Sequence, residues 1–316
     1  MNSACNFRLM PALGILATAA CASLLLAGCG GSGNSTTQTV QTPTKFTTFD
    51  GPGGSPTTNN GINNIGTVVG FTTSNNVNAN FLRSATGGFV SVNLTGGAGG
   101  DMANGVNTHN AVVGVSSGNA FLLVNGSHSG LGIPGAISSV AFGINDNGVI
   151  VGQYVNAAGN TPGFVDANGV ITTINATPTA TVTNVQGINN GGIAIGFYSA
   201  DGVHQHGFLY NTSTKQTTLL PDPSTARITA NGLVLTQFLG INDNNEAVGY
   251  YQTTNGSQYG FLFNLSTNTY TFLDAPNAAV VNGVQITQIT GVSNAGEICG
   301  FYIAANGAQH GFIATN

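Results

Sequence analysis

A Gly-Ile/Val-Asn/Ser step recurs six times along this chain, at Gly61, Gly105, Gly143, Gly187, Gly240 and Gly291. Nine residues after each stands a second Gly, at positions 70, 114, 152, 196, 249 and 300, always preceded by Val, Ile or Cys. Further on, each copy carries a Phe: Phe81, Phe121, Phe164, Phe208, Phe261 and Phe312. The copies start 44, 38, 44, 53 and 51 residues apart. Self-similarity at this period restricts the chain to a repeat architecture, in which each unit buries its apolar face against its neighbours.

Each unit reads as four strands. In the fifth, Leu233–Ile241 is apolar and β-branched, and Asn242-Asp243-Asn244-Asn245 makes a turn. Strands at Glu246–Gln252, Tyr259–Asn264 and Thr269–Asp274 follow, separated by Asn/Gly turns and stopped by Pro276. Five residues after the repeat Gly only Gly or Asn occurs: Gly66, Asn110, Gly148, Gly192, Asn245 and Gly296. Those two residues accept φ > 0 at least cost, so a left-handed turn position is expected in every copy. The Gly inside the second strand would weaken the ladder unless backbone approaches closely there. The repeated Phe is expected to pack between adjacent units.

Four-stranded antiparallel units of this length arranged radially make a β-propeller, here all-β and six-bladed; a linear β-solenoid is the alternative. One fourth strand is missing after the last copy. The segment Lys45-Phe46-Thr47-Thr48-Phe49-Asp50-Gly51-Pro52 matches Tyr270-Thr271-Phe272-Leu273-Asp274-Ala275-Pro276, both ending in Asp-x-Pro. The expectation is that Phe46–Asp50 supplies that strand and closes the ring.

Composition narrows function. Only 15 of 316 residues are charged, five of them basic, with 47 Gly, 39 Asn and no Trp. Five scattered basic residues cannot form the phosphate-binding patch that nucleic acid requires, so no nucleic-acid partner is expected. Disorder is equally unexpected, because 41% of residues are hydrophobic and the net charge is only −5.

Two motifs resemble known families. Arg8, the apolar run Leu9–Leu26, and Leu26-Ala27-Gly28-Cys29 resemble a bacterial lipoprotein signal peptide with its lipobox. The resemblance implies cleavage after Gly28, lipidation of Cys29 and attachment to a lipid bilayer. Gly30, rather than Asp, beside that Cys implies the outer membrane or cell surface. Gly-Ile-Asn-Asn/Asp-x-Gly-x-x-Val-Gly followed by His206-Gly207-Phe208 and His310-Gly311-Phe312 resembles the bacterial extracellular HAF-repeat proteins. The second element is degenerate at Tyr259-Gly260-Phe261, Asn119-Ala120-Phe121 and Pro162-Gly163-Phe164, and absent at Ala79-Asn80-Phe81. That likeness covers residues 45–316 and implies fold and location without an activity. The expected organisation is signal peptide 1–28, lipidated Cys29 with a flexible linker to residue 44, and a propeller of six HAF-like repeats over 45–316. Cys5 and Cys21 leave with the signal. Cys299 then remains alone at a position filled elsewhere by Val or Ile, so it is expected to be buried and apolar.

Candidate chemistry is sparse. Asp146 and Asp243 share one repeat position, Glu246 and Glu297 another, and Asp50 and Asp274 a third, which favours structural duties over a glycosidase pair. Asp101, Asp166, Asp201 and Asp222 are unpaired in sequence. His204-Gln205-His206 could form half a metal site, but His206 recurs as His310 and is replaced by Tyr259. His109 lies in a turn and His128 near a Gly-rich stretch. No catalytic residue, cofactor or metal is therefore expected. The long, variable connections Asn93–Asp101, Pro221–Asn231, Ala275–Gly283, Ser199–Gln205 and Gln252–Gln258 fall on one face of a propeller, where a glycan or protein would bind. The expected function is that of a membrane-anchored extracytoplasmic binding or structural envelope module, with a secreted polysaccharide-acting hydrolase or lyase on a propeller scaffold as the alternative.

Overall fold

The computed structural model describes residues 40–41, 43–94 and 100–315. The signal segment, Cys29 and the first part of the linker lie outside the described residues. Six four-stranded antiparallel sheets form a six-bladed β-propeller. Blade one contains Thr57–Ile62, Val68–Ser74, Val77–Arg83 and Phe89–Ser91. Blade five contains Leu233–Ile241, Glu246–Thr253, Gln258–Asn264 and Thr269–Leu273, as the fifth copy's pattern indicates.

Blade six joins the two ends of the domain. Thr287–Val292, Ile298–Ile303 and Gln309–Thr315 supply its inner three strands. Lys45–Phe49 is its outer strand, running antiparallel to Gln309–Thr315 from Lys45 opposite Thr315 to Phe49 opposite Gly311. The ring is closed by the N-terminal strand. A difference from the sequence reading lies just upstream. Val40–Gln41, placed in the linker by sequence, pairs in parallel with Phe272 and Leu273 at the outer edge of blade five.

The repeat residues explain how the blades assemble. All six turn positions with Gly or Asn have φ between 58° and 78°. Every inner strand bulges two residues before or at the repeat Gly, for example between Val185 and Gly187. The bulge turns a carbonyl toward the second-strand Gly, so a Cβ on Gly196 would sit on Asn184 O. The Phe ring of the third strand lies across the same Gly, Phe208 opposite Gly196. The close backbone thus comes from within the blade. Five of the six Phe rings then pack against the preceding blade: Phe121 with Val69, Phe164 with Val113 and Ala120, Phe208 with Val151 and Val165, Phe261 with Ile195, and Phe312 with Val248 and Leu273.

Candidate functional site

The Gly-Ile/Val-Asn/Ser step builds the axis. A Cβ on Gly105 would meet Gly143, one on Gly143 would meet Gly187, and one on Gly291 would meet Gly61. The inner strands therefore touch backbone to backbone around the axis, which only Gly permits. One step further out, the Asn amides form a belt. Asn63 donates to Asn107 O, Asn107 to Asn145 O, Asn145 to Asn189 O, Asn189 to Asn242 O and Asn242 to Ser293 O, at 2.9–3.1 Å. The Oδ1 of Asn145 also accepts from Asn147 N and Val149 N in its own turn. One side chain thus closes a turn and ties two blades.

A second belt lies at the next residue. Asp146 Oδ1 accepts from Thr108 N and Oγ1, Asn190 Oδ1 from Asp146 N, Asp243 Oδ1 from Asn190 N, and Asn294 Oδ1 from Asp243 N. Asn190 Nδ2 donates to both Asp146 Oδ2 and Asp243 Oδ2, each at 3.0 Å. Sequence reading spread these two aspartates around the ring; they meet through the residue between them because the axis is so narrow. Burial alone would raise Asp146, but the hydrogen bonds from Thr108 and Asn190 outweigh it and hold the carboxyl below its usual range. The depression above this belt leaves about 60 Å³ and is lined by the Ile, Val, Asn and Asp of the repeat step.

The opposite, long-loop face is uneven. On blades one and two, two-residue hairpins connect the second and third strands. Over blades four to six the connections grow into structures of their own. Between blades four and five a short helix, Ala226–Asn231, starts at Thr225, whose Oγ1 accepts from Ile228 N, and ends at Gly232 with φ 73°. Between blades five and six stands the small hairpin Val280–Val281 and Val284–Gln285. Both lean on the loop of blade five. Thr254 Oγ1 bonds Asn231 O on one side, and Ser257 Oγ accepts from Gln285 N on the other.

Three of the five imidazoles, those of His204, His206 and His310, and most unpaired aspartates gather here. His206 Nδ1 donates to Asp222 Oδ2 and His310 Nδ1 to Asp50 Oδ1, each at 2.8 Å. In blade five Tyr259 occupies the His position, and Arg227 from the helix lies 4.1 Å above its ring while bonding both oxygens of Asp274. A cation or imidazole therefore meets a carboxylate just past the outer strand in blades four, five and six, at Asp222 and at the Asp-x-Pro carboxylates Asp274 and Asp50. Sequence comparison missed Arg227, because it arrives from an insertion. His204 pairs with Asp201, whose carboxyl is held well below its usual range by His204 and by the N–H groups of Val203 and His204. The side-chain amides of Gln237 and Gln288 bond Gln205 and Gln258, joining blades four to five and five to six.

Other residues serve the fold. Asp101 is buried and accepts from Ser116 Oγ and Ser117 N, and Asp166 accepts from Gly169 N in a hairpin. Glu246 accepts from Asn242 Nδ2, and the Ser293 Oγ accepts from Glu297 N. His128 stacks on Phe121. Cys299 is fully buried, and burial pushes its thiol up to about 12. Among the described residues no three His, Cys, Asp or Glu side chains converge to hold a metal. No described helix is long and apolar enough to cross a membrane.

Neither a protein-family model nor a curated protein matches the chain. Solved structures match its fold. A Trypanosoma rangeli sialidase in complex with the inhibitor DANA superposes with TM-score 0.51 at 11% identity, over 88% of this chain and 58% of its own. TolB from Acinetobacter baumannii gives 0.50 at 11% identity, over 68% of this chain and 53% of that one. The β-propeller domain of the Trilobed protease from Pyrococcus furiosus gives 0.46 at 9% identity, over 78% and 75%. The chain thus spans little more than half the length of TolB and of the sialidase. At these identities the likeness is one of scaffold, which binding proteins and enzymes share.

Proposed function

We propose that this protein is a lipid-anchored, extracytoplasmic propeller that binds a glycan or protein on its long-loop face without turning it over. The observation that carries the binding reading is the confinement of the inserted helix and hairpin to one sector of one face, above blades four to six. Rigid blades supporting variable loops are a usual setting for recognition. The anchor and export rest on the Leu26-Ala27-Gly28-Cys29 element, and the extracellular HAF-repeat likeness agrees with them.

The hydrolase or lyase reading has one observation in its favour, the two carboxylates that share the Asn190 amide. A glycosidase of that design needs one carboxyl kept protonated, with its pKa raised. Asp146 is displaced the other way. A glycan array combined with a reducing-end assay on each hit tests the choice. Retention without product is expected, and product release would replace binding with catalysis. Incorporation of labelled fatty acid, abolished by Cys29→Ala, tests the anchor; label that survives the substitution would remove it.

A further inference from the structure

We propose that the ring opens locally at one seam, between blades six and one, because Cys299 and Asn59 stand there in place of an aliphatic pair. The other five seams stay closed.

Two repeat positions set each seam: the residue before the second-strand Gly, and the residue two before the next blade's repeat Gly. Val69 and Ala103 hold them between blades one and two, Val113 and Ala141 between two and three, and Val151 and Val185 between three and four. Ile195 with Phe238 and Val248 with Ile289 follow at the next two seams. Each pair belongs to a buried apolar cluster that spans its seam. Between blades six and one the same positions carry Cys299 and Asn59, both fully buried. The thiol lies on the side of blade one, since a Cβ on Gly291 would meet both Cys299 Sγ and Gly61. Among the described residues no buried apolar cluster spans this seam.

Polar bonds take the place of the cluster. Asn59 Nδ2 donates to Gly300 O and Phe312 O at 2.9 and 3.2 Å. Gln309 Nε2 donates to Thr57 O and Thr58 Oγ1 at 3.0 and 2.7 Å. The buried Oδ1 of Asn59 has no partner among the described residues. Opening the seam returns that oxygen and the broken amide bonds to water, which offsets much of their loss. Opening any other seam exposes aliphatic surface, with no such return.

The Asn belt breaks at the same place. It runs from Asn63 to Ser293, whose hydroxyl accepts from Glu297 N in its own turn. Among the described residues no bond from Ser293 crosses to Asn63. What else spans the seam is the Asn294 N–H on Asn64 Oδ1, and aromatic contacts at the rim, Phe49 with Phe89 and Phe89 with Phe81. Residues 50–56 keep the two blades joined when the inner part separates.

The test follows alkylation of Cys299 by iodoacetamide in the full chain under native conditions, read on the peptic peptide that carries it. Comparison thiols come from Val113→Cys, between blades two and three, and Val248→Cys, between blades five and six, each combined with Cys299→Val. Both replace a fully buried Val at the equivalent position, and one comparison stands should the other variant misfold. Each rate is divided by the rate at the same site in the urea-unfolded chain. Cys299 is expected to react ~10-fold faster or more than either comparison thiol, with a shallower urea dependence, because local opening exposes less surface than unfolding. Asn59→Val, or Asn59→Ala should that fail to fold, installs the residue of blade four or two. Either should slow alkylation of Cys299 by ~5-fold. Equal rates and urea slopes at the three seams would overturn the local opening. A fast Cys299 that the Asn59 substitutions leave unchanged would overturn the polar pair as its cause.

Discussion

Gly196 shows how much one missing methyl group decides in this fold. A side chain there would occupy the position of Asn184 O and crowd Val185, both fixed by the bulged inner strand. Gly196→Val is therefore expected to destabilise by ~1–3 kcal/mol, the usual cost of overpacking, measured as a shift in urea midpoint at constant slope. Sequence alone identified this Gly as a place of close backbone approach. It did not reveal the bulge, because a bulge is a pairing irregularity and leaves no residue type of its own. Cys299 gives a second residue-scale expectation. Its thiol is raised from an ordinary value near 9 to about 12 by burial. The unfolded chain ionises first as pH rises, so the thiol's contribution to stability is intact below about 9 and is lost between about 9 and 12. Cys299→Val, the residue that other blades carry there, should make stability less pH-dependent across that window than in the parent. Identical slopes for the two proteins would show that the thiol is not buried as placed.

The turn after each inner strand is the element in which most of the sequence signal resides. Its left-handed position was legible because only Gly and Asn occur there, and all six have positive φ. The inter-blade use of the preceding Asn was not legible, since one side chain serves two partners and only three-dimensional closure shows the second. Asn189 separates the two roles. Its Oδ1 accepts from Ile193 N within the turn, and its Nδ2 donates to Asn242 O in blade five. Asn189→Asp keeps an acceptor for the turn but sets a carboxylate against a buried carbonyl. Asn189→Ser copies the residue that blade six already uses at position 293. Asn189→Asp should cost more than Asn189→Ser, whose loss of the bridge is expected near ~1–2 kcal/mol. Equal stability of Asn189→Asp and the parent would mean that the belt contributes nothing. The inserted helix was read from sequence only as a loop. Six residues flanked by Pro221, Pro223 and Gly232 carry too little periodicity to register as helical.

At the scale of the whole molecule, the closing strand makes six units into a ring, and its match to the fifth copy's last strand made that legible. Removal should be costly for three reasons. Phe46 stacks on Phe312 at 5.1 Å, and Phe49 lies against Phe89 at 6.2 Å beneath Arg83. A fully buried Phe is worth ~1.5–3 kcal/mol, so two half-buried rings together contribute about that much. The strand also supplies a five-residue ladder, a Thr48–Tyr302 hydroxyl contact and the Asp50–His310 pair. Its loss opens the edge of Gln309–Thr315, which invites association with other edges. Because Val40–Gln41 also pairs with blade five, the neutral control is deletion of residues 30–39, not a cut extending to residue 44. Deletion of 30–39 should leave the melting temperature unchanged. Deletion of 30–50 should lower it by well over the ~4 °C that 1–2 kcal/mol produces in a domain of this size, and light scattering should rise with concentration. If the two truncated proteins melt together as monomers, the closing strand is not what holds the ring.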